Sequence, residues 1–168
     1  MYHPASEQIS FASDFPNDTG KYHIIKCIEK CRTQPGIWAA SGNACVVHLQ
    51  HESMKMKCIQ EIRIPDACQV RVLHEDDQGN LWIGTENAIY QYSISDGNMR
   101  RIHKDTGAIN GIAISPDKAI YYITETPEFS CLPPDGQVHS IHKGENYSSI
   151  IISPDNKIWT ATLEGNVY

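Results

Sequence analysis

Residues 75–92 read Glu-Asp-Asp-Gln-Gly-Asn-Leu-Trp-Ile-Gly-Thr-Glu-Asn-Ala-Ile-Tyr-Gln-Tyr. Gly79 and Asn80 tolerate positive φ, and Asp76 and Asp77 can bond a turn backbone, so residues 76–80 predict a tight reversal. Residues 81–85 are rich in β-formers and predict a strand, in which Gly84 leaves room for a neighbouring backbone or a bulge. Glu86 and Asn87 turn the chain again, and residues 88–94 form the next strand. Upstream, Val70, Val72 and His74 alternate with Arg71 and Leu73, a strand pattern running into the turn. Downstream, Asp96-Gly97-Asn98 is a hairpin signal that leads into a fourth strand at 99–103.

Four short antiparallel strands in about forty residues are the pattern of one β-propeller blade. Weaker copies flank this unit. Ile114-Ser115-Pro116-Asp117 recurs as Ile152-Ser153-Pro154-Asp155, and Ile102-His103-Lys104 recurs as Ile141-His142-Lys143. The second-strand aromatics are Trp38, Trp82, Tyr121 or Tyr122, and Trp159. Their spacing lies at or just below the ~40-residue propeller period. The sequence therefore predicts an all-β, propeller-like array of about four four-stranded antiparallel blades at 21–65, 69–104, 109–143 and 147–168, behind a polar lead-in at 1–20.

In the first blade, strands are expected at 22–28, 37–41, 44–49 and 58–64, with 52–57 as a bridge. In the third blade, Pro127, Pro133 and Pro134 predict an irregular third strand, since proline cannot donate to a ladder. The fourth blade stops short. Either residues 8–12 supply its closing strand, or the chain is a piece of a larger ring, or it pairs with another copy. Unpaired strand edges are costly, so some closure is favoured.

The formal net charge is −6, from 20 acidic and 14 basic residues, which argues against a nucleic-acid groove. The short basic run at 99–104 reads as a solvated outer strand. No apolar run approaches a membrane span, and the chain as given shows no signal-peptide pattern. Cysteines stand at 27, 31, 45, 58, 68 and 131. Their spacing fits no disulfide scaffold and several replace apolar strand residues, so free thiols are expected. Cys27 and Cys31, with His23, His48 or His51, would be the nearest zinc set, but the spacing is not a paired knuckle motif. His103 and His142 are repeat equivalents. His74 with Asp76 and Asp77 suggests acid–base chemistry, although a strand end and its turn explain the same residues. There is no Gly-rich phosphate loop and no G-x-S-x-G elbow.

Residues 75–85, with Tyr90, resemble the repeat of the two-component regulator propellers. That resemblance implies a periplasmic sensor domain of the kind found in bacterial hybrid histidine kinases. Residues 110–117, running into Ile120-Tyr121, are similar to the senescence marker protein and gluconolactonase family. That likeness implies a divalent metal such as calcium, sugar-lactone hydrolysis, and Asn110 as a metal ligand. Ser148 stands near the position where that family carries a ligand aspartate, and the family's early ligand glutamate has no counterpart here.

The leading expectation is a non-catalytic module that binds a small molecule, glycan or protein, without a cofactor. The alternatives are a metal-dependent lactone hydrolase and a structural fragment needing partner blades, supplied by a homodimer or by further repeats. A site is expected on the loops that join each outer strand to the next inner strand, at Asp105, Asn110, Glu145 and Asn146. Free thiols and the missing signal pattern point to the cytoplasm, whereas the regulator resemblance points to the periplasm.

Overall fold

The turns set the architecture. In the computed structural model, which describes residues 2–3, 8–9, 25–41, 44–52, 55–67, 69–105 and 107–168, the reversal after each of the second, third and fourth inner strands is the same turn. Its closing bonds run from Gly79 N to Asp76 O, Lys118 N to Ser115 O, and Asn156 N to Ser153 O. The residue closing it is left-handed each time, at φ +77° for Gly79, +69° for Lys118 and +61° for Asn156. Glycine and asparagine suit that region, whereas lysine carries a Cβ penalty there.

Two short strands, β1 (Tyr2–His3) and β2 (Gln8–Ile9), pair with each other. The first blade holds β3 (Ile25–Lys30), β4 (Ile37–Ser41), β5 (Cys45–Glu52) and β6 (Lys55–Arg63). The second holds β7 (Val70–Glu75), β8 (Asn80–Thr85), β9 (Ala88–Ser93) and β10 (Met99–Lys104). The third holds β11 (Ile109–Ile114), β12 (Ile120–Thr124), β13 (Glu128–Leu132) and β14 (His139–Lys143). β15 (Tyr147–Ile152) and β16 (Ile158–Thr162) begin the fourth, and a bridge from Val167 to Ala161 starts its third strand. Within each blade, neighbours in sequence are neighbours in the antiparallel sheet.

The inner strands succeed one another as β3, β7, β11 and β15, each packed on the next. The sheets form an open array rather than a closed ring. Its far side leaves Ile151 61% and Trp159 43% exposed. The equivalent Trp82 is covered by the third blade through Ile109, Ile112 and Ile120. The first and second blades bury Trp38, Val46, Leu81, Ile83 and Tyr90 between them. Fully burying one such large apolar side chain is worth roughly 1.5–3 kcal/mol. Tyr147 and Ile150 of the fourth blade pack on Ala113, Ile123 and Phe129 of the third.

Three strand expectations change. The 52–57 bridge is mostly strand, because β5 and β6 form one long hairpin with pairs out to Glu52 and Lys55. β13 is continuous, because Pro127, Pro133 and Pro134 stand just outside it and take no ladder position, although its pairing with β14 slips between Phe129 and Ser130. Gln8 and Ile9, expected in a closing strand, pair with Tyr2 and His3; the rest of that 8–12 segment lies outside the described residues.

One feature of the repeat was signalled in the sequence only at Gly84, which stands opposite the slip in the second blade. Every inner strand carries a bulge at its second residue: Lys26, Arg71, Asn110 and Ser148 each fall in a register shift against the second strand. All four are exposed. A bulge leaves its extra residue out of the ladder and re-aims the side chain.

Candidate functional site

The inner strands enclose an open cavity of about 1340 Å³, which extends as a wedge between the second and third blades. Asn110 and Ser148 line it near the bulges, Leu73, Ile112 and Ile150 along its length, and Trp82, Gln91 and Arg100 in the wedge. Its other end is bounded by the inner-strand turns, including Asp77 and Pro116. The walls thus combine apolar strand residues with about as many polar and charged ones, so the cavity is a wet, open cleft and not a mostly apolar pocket.

At the turn end the charged groups serve the blade interface. Glu75 has no exposed surface. Its Oε1 accepts hydrogen bonds from Thr33 N at 2.8 Å and Thr33 Oγ1 at 2.6 Å, and its Oε2 accepts one from Trp38 Nε1 at 2.7 Å. Burial pushes the Glu75 carboxyl up, but these bonds outweigh it and hold the group below the ordinary range. The second blade is thereby latched to the first. Beside it, Glu29 lies 3.7 Å from His74. Burial raises the Glu29 carboxyl and lowers the His74 imidazole, the latter helped by Arg32.

Asp76 is a turn residue. Its carboxylate accepts from Gln78 N and Asn80 N, both at 2.9 Å, and from Trp82 Nε1 at 2.8 Å. The fourth blade repeats the device with a hydroxyl: Trp159 Nε1 donates to Ser153 Oγ at 3.3 Å. His74, Asp76 and Asp77 thus follow the strand-and-turn explanation, and Asp76 has its acceptor capacity occupied.

The four expected site residues do not converge. Asp105 Oδ1 accepts from Gly107 N at 3.1 Å, and its Oδ2 lies 3.4 Å from His103 Nε2. It belongs to a separate hollow of about 200 Å³ lined by His103, Tyr122, Glu128 and Ser130. Burial, then Asp105, pushes the Tyr122 phenol upward. Glu145 accepts from Tyr168 Oη at 2.7 Å, and the Asn146 carbonyl accepts from Leu163 N at 2.9 Å. Both stabilise the entry to the fourth blade. Of the four, only Asn110 lines the central cavity.

Lys26 and Arg71, its equivalents on the preceding blades, were not singled out from sequence. The signal was the phase of the repeat, since each stands at the second residue of its inner strand. Arg71 Nη2 lies 4.0 Å from Glu125 Oε2. Among the described residues, no three of His, Cys, Asp and Glu gather as a metal-binding group. Cys27, Cys31 and Cys131 are free thiols, while Cys68 lies outside the described residues. His48 Nε2 is spent on Pro35 O at 2.8 Å. No helix among the described residues is long and apolar enough to cross a membrane.

Comparison with known proteins agrees with this geometry. The fold is that of a β-propeller array. Residues 64–87, which run from the end of the first blade through the latch and the Asp76 turn, match the model of the two component regulator propeller family. Among solved structures, the extracellular domain of BT4673 from B. thetaiotaomicron superposes with a TM-score of 0.66 at 18% identity, over 85% of this chain and 21% of that one. The WD40 domain of Neurospora crassa Pan2 gives 0.66 at 16% identity, over 84% and 45%. Virginiamycin B lyase from Staphylococcus aureus gives 0.68 at 14% identity, over 92% and 56%. The chain thus spans about a fifth of the first of these and about half of the other two. At such identities the likeness shows the fold. No curated protein sequence matches the chain.

Proposed function

We propose that the chain is a ligand-binding part of a sensor-type propeller, with the central cavity as the ligand site. One observation carries the reading. The segment that matches the regulator propeller family supplies the latch and turn that shape one wall of an open cavity whose polar groups, Asn110, Gln91 and Arg100, face its interior. Support at the level of fold comes from the extracellular domain of BT4673, a one component or hybrid two component system. In this reading ligand contact is made by residues of several blades, as propeller architecture favours.

The test is a thermal-shift screen with neutral and charged mono- and oligosaccharides and amino acids, followed by calorimetric titration of any hit. A ligand that binds only the folded state raises the melting temperature with concentration. Asn110→Ala and Arg100→Ala should weaken a true cavity ligand without changing the melting temperature of the free protein by more than a few degrees. The reading fails if no probe shifts the melt, or if both variants bind a hit as the parent does.

The metal-dependent hydrolase is the second reading, and Asn110 on the cavity wall is the observation in its favour. Its ring equivalents count against it, because Lys26 and Arg71 place cations where a divalent ion needs converging oxygens. A calcium titration that raises the melting temperature and is abolished by Asn110→Ala would restore it.

A further inference from the structure

From the shared bulge position of the inner strands, we infer that the cavity mouth is an oxyanion site, taking the carboxylate or phosphate of a ligand on Arg71, Lys26 and Asn110. The inference rests on the cavity being the ligand site and adds the chemical class of its ligand.

The geometry begins with the repeat. In all four blades the register slips at the same place, between the first and third residues of the inner strand. The slip puts Lys26, Arg71, Asn110 and Ser148 at one level of adjacent inner strands, which succeed one another around the cavity. Asn110 and Ser148 line the cavity itself, and Lys26 and Arg71 occupy the matching positions on the two blades before them. A side chain at a bulge takes no part in core packing, and none of the four is buried.

The chemistry of the level is one-sided. It holds a guanidinium, an ammonium and an amide, and no carboxylate stands at any of the four positions. In a chain of net charge −6 this is a local reversal of sign. Glu125, on the loop between β12 and β13, is the acidic group facing Arg71. The two form a long, solvent-exposed ion pair at 4.0 Å, a weak contact that an anionic ligand would have to displace. Among the described residues Lys26 has no ion-pair partner. A planar guanidinium offers two parallel N–H donors to a carboxylate or phosphate, and the ammonium adds a second charge. Ser148 donates to Ala161 O at 3.2 Å, so it shapes the mouth without supplying a free donor.

The test uses the intact chain and three probes: inorganic phosphate, citrate, and D-glucuronate with D-glucose as its neutral partner. Calorimetry or saturation-transfer NMR should show binding of glucuronate, phosphate or citrate, weakening as salt rises from low to physiological strength. Which of them binds most tightly separates a sugar carboxylate from free phosphate. A charged hydrogen bond is worth enough that Arg71→Gln should weaken binding roughly tenfold or more. Lys26→Gln should weaken it less, and Arg71→Lys should restore part of the loss. An unchanged far-UV spectrum and melting temperature show that the variants fold. Equal binding of glucose and glucuronate, or an Arg71→Gln variant that binds an anion as the parent does, overturns the inference and leaves the cavity reading standing. If neither charged nor neutral probes bind, both fail.

Discussion

Replacing Glu75 by glutamine removes one charge and one acceptor from the latch between the first two blades. The parent carboxylate accepts three hydrogen bonds, from two donors of Thr33 and from the Trp38 indole, and it is fully buried. A glutamine keeps one acceptor oxygen. Whichever way it points, its amide faces an N–H or O–H donor that then lacks a partner. Hydrogen bonds to a charged group are worth about 1.5–3 kcal/mol each, and about half that between neutral groups. Losing one bond outright and weakening the others gives a destabilisation of about 3–5 kcal/mol. For a chain of this length that is a fall in melting temperature of roughly 6–20 °C. Urea unfolding followed by far-UV circular dichroism measures it, with an unchanged slope expected if the native fold persists.

The same carboxylate sets a pH dependence. Its native pKa is held below the unfolded value, so its contribution is present above about pH 4.3 and is lost as pH falls through the native value. The gap between parent and Glu75→Gln should therefore hold from pH 7 down to about 4.3 and narrow below it. A Glu75→Gln variant within about 0.5 kcal/mol of the parent at pH 7 would show that the latch is spent on its own desolvation.

Four further outcomes follow from named contacts. Asp76→Ala should cost about 2–3 kcal/mol by urea unfolding, since a buried indole N–H and two turn amides lose their acceptor. Asp76→Ser should cost less than half of that, because Ser153 already serves Trp159 in this way. Gly84→Ala should destabilise by about 1–3 kcal/mol, because a Cβ there would stand 2.5 Å from Val72 Cγ1 and 2.8 Å from Ile109 Cγ2; a rise in melting temperature would contradict the packing. Lys118→Gly should leave the stability in urea unchanged or raise it by up to about 1 kcal/mol, because it relieves a left-handed backbone at φ +69°. Burial pushes the Cys27 thiol up to about 11 and the Cys31 thiol up to about 12. Peptide mapping after iodoacetamide at pH 8 should therefore find both labelled far more slowly in the native chain than in urea.

The strand order of the second blade could be read from the sequence because punctuation and pattern agreed. Gly79, Asn80 and Asp76 marked the turn, and alternation marked β7. Proline was read too strongly in the third blade, since Pro127, Pro133 and Pro134 bound a continuous strand, and its one register slip against β14 falls between Phe129 and Ser130, away from any proline. Only the outer part of the β5–β6 hairpin was missed, at the 52–57 bridge, although Met54, Met56 and Cys58 alternate with Lys55 and Lys57. The bulges were barely signalled: Gly84, read as room for a backbone or a bulge, stands opposite the slip at Arg71, but nothing in Lys26, Arg71, Asn110 or Ser148 marks a slipped register, and so the cavity mouth was found only in part. Glu75 read as one more acidic residue before a turn, because its three donors come from a segment about forty positions earlier. The loop residues Asp105, Glu145 and Asn146 were grouped with Asn110 by topology, but three dimensions give them separate local partners.

The unequal covering of the second-strand aromatics equips the chain with its own optical reporters. Trp38 is 0% exposed, Trp82 7% and Trp159 43%, and the third blade has a tyrosine instead. Acrylamide should therefore quench Trp159 emission selectively in the native state, while Trp38 and Trp82 stay dark to the quencher until their blades part. Single-tryptophan variants would then separate fraying of the open end from rupture at the latch, so the order in which the blades come apart can be recorded with light alone.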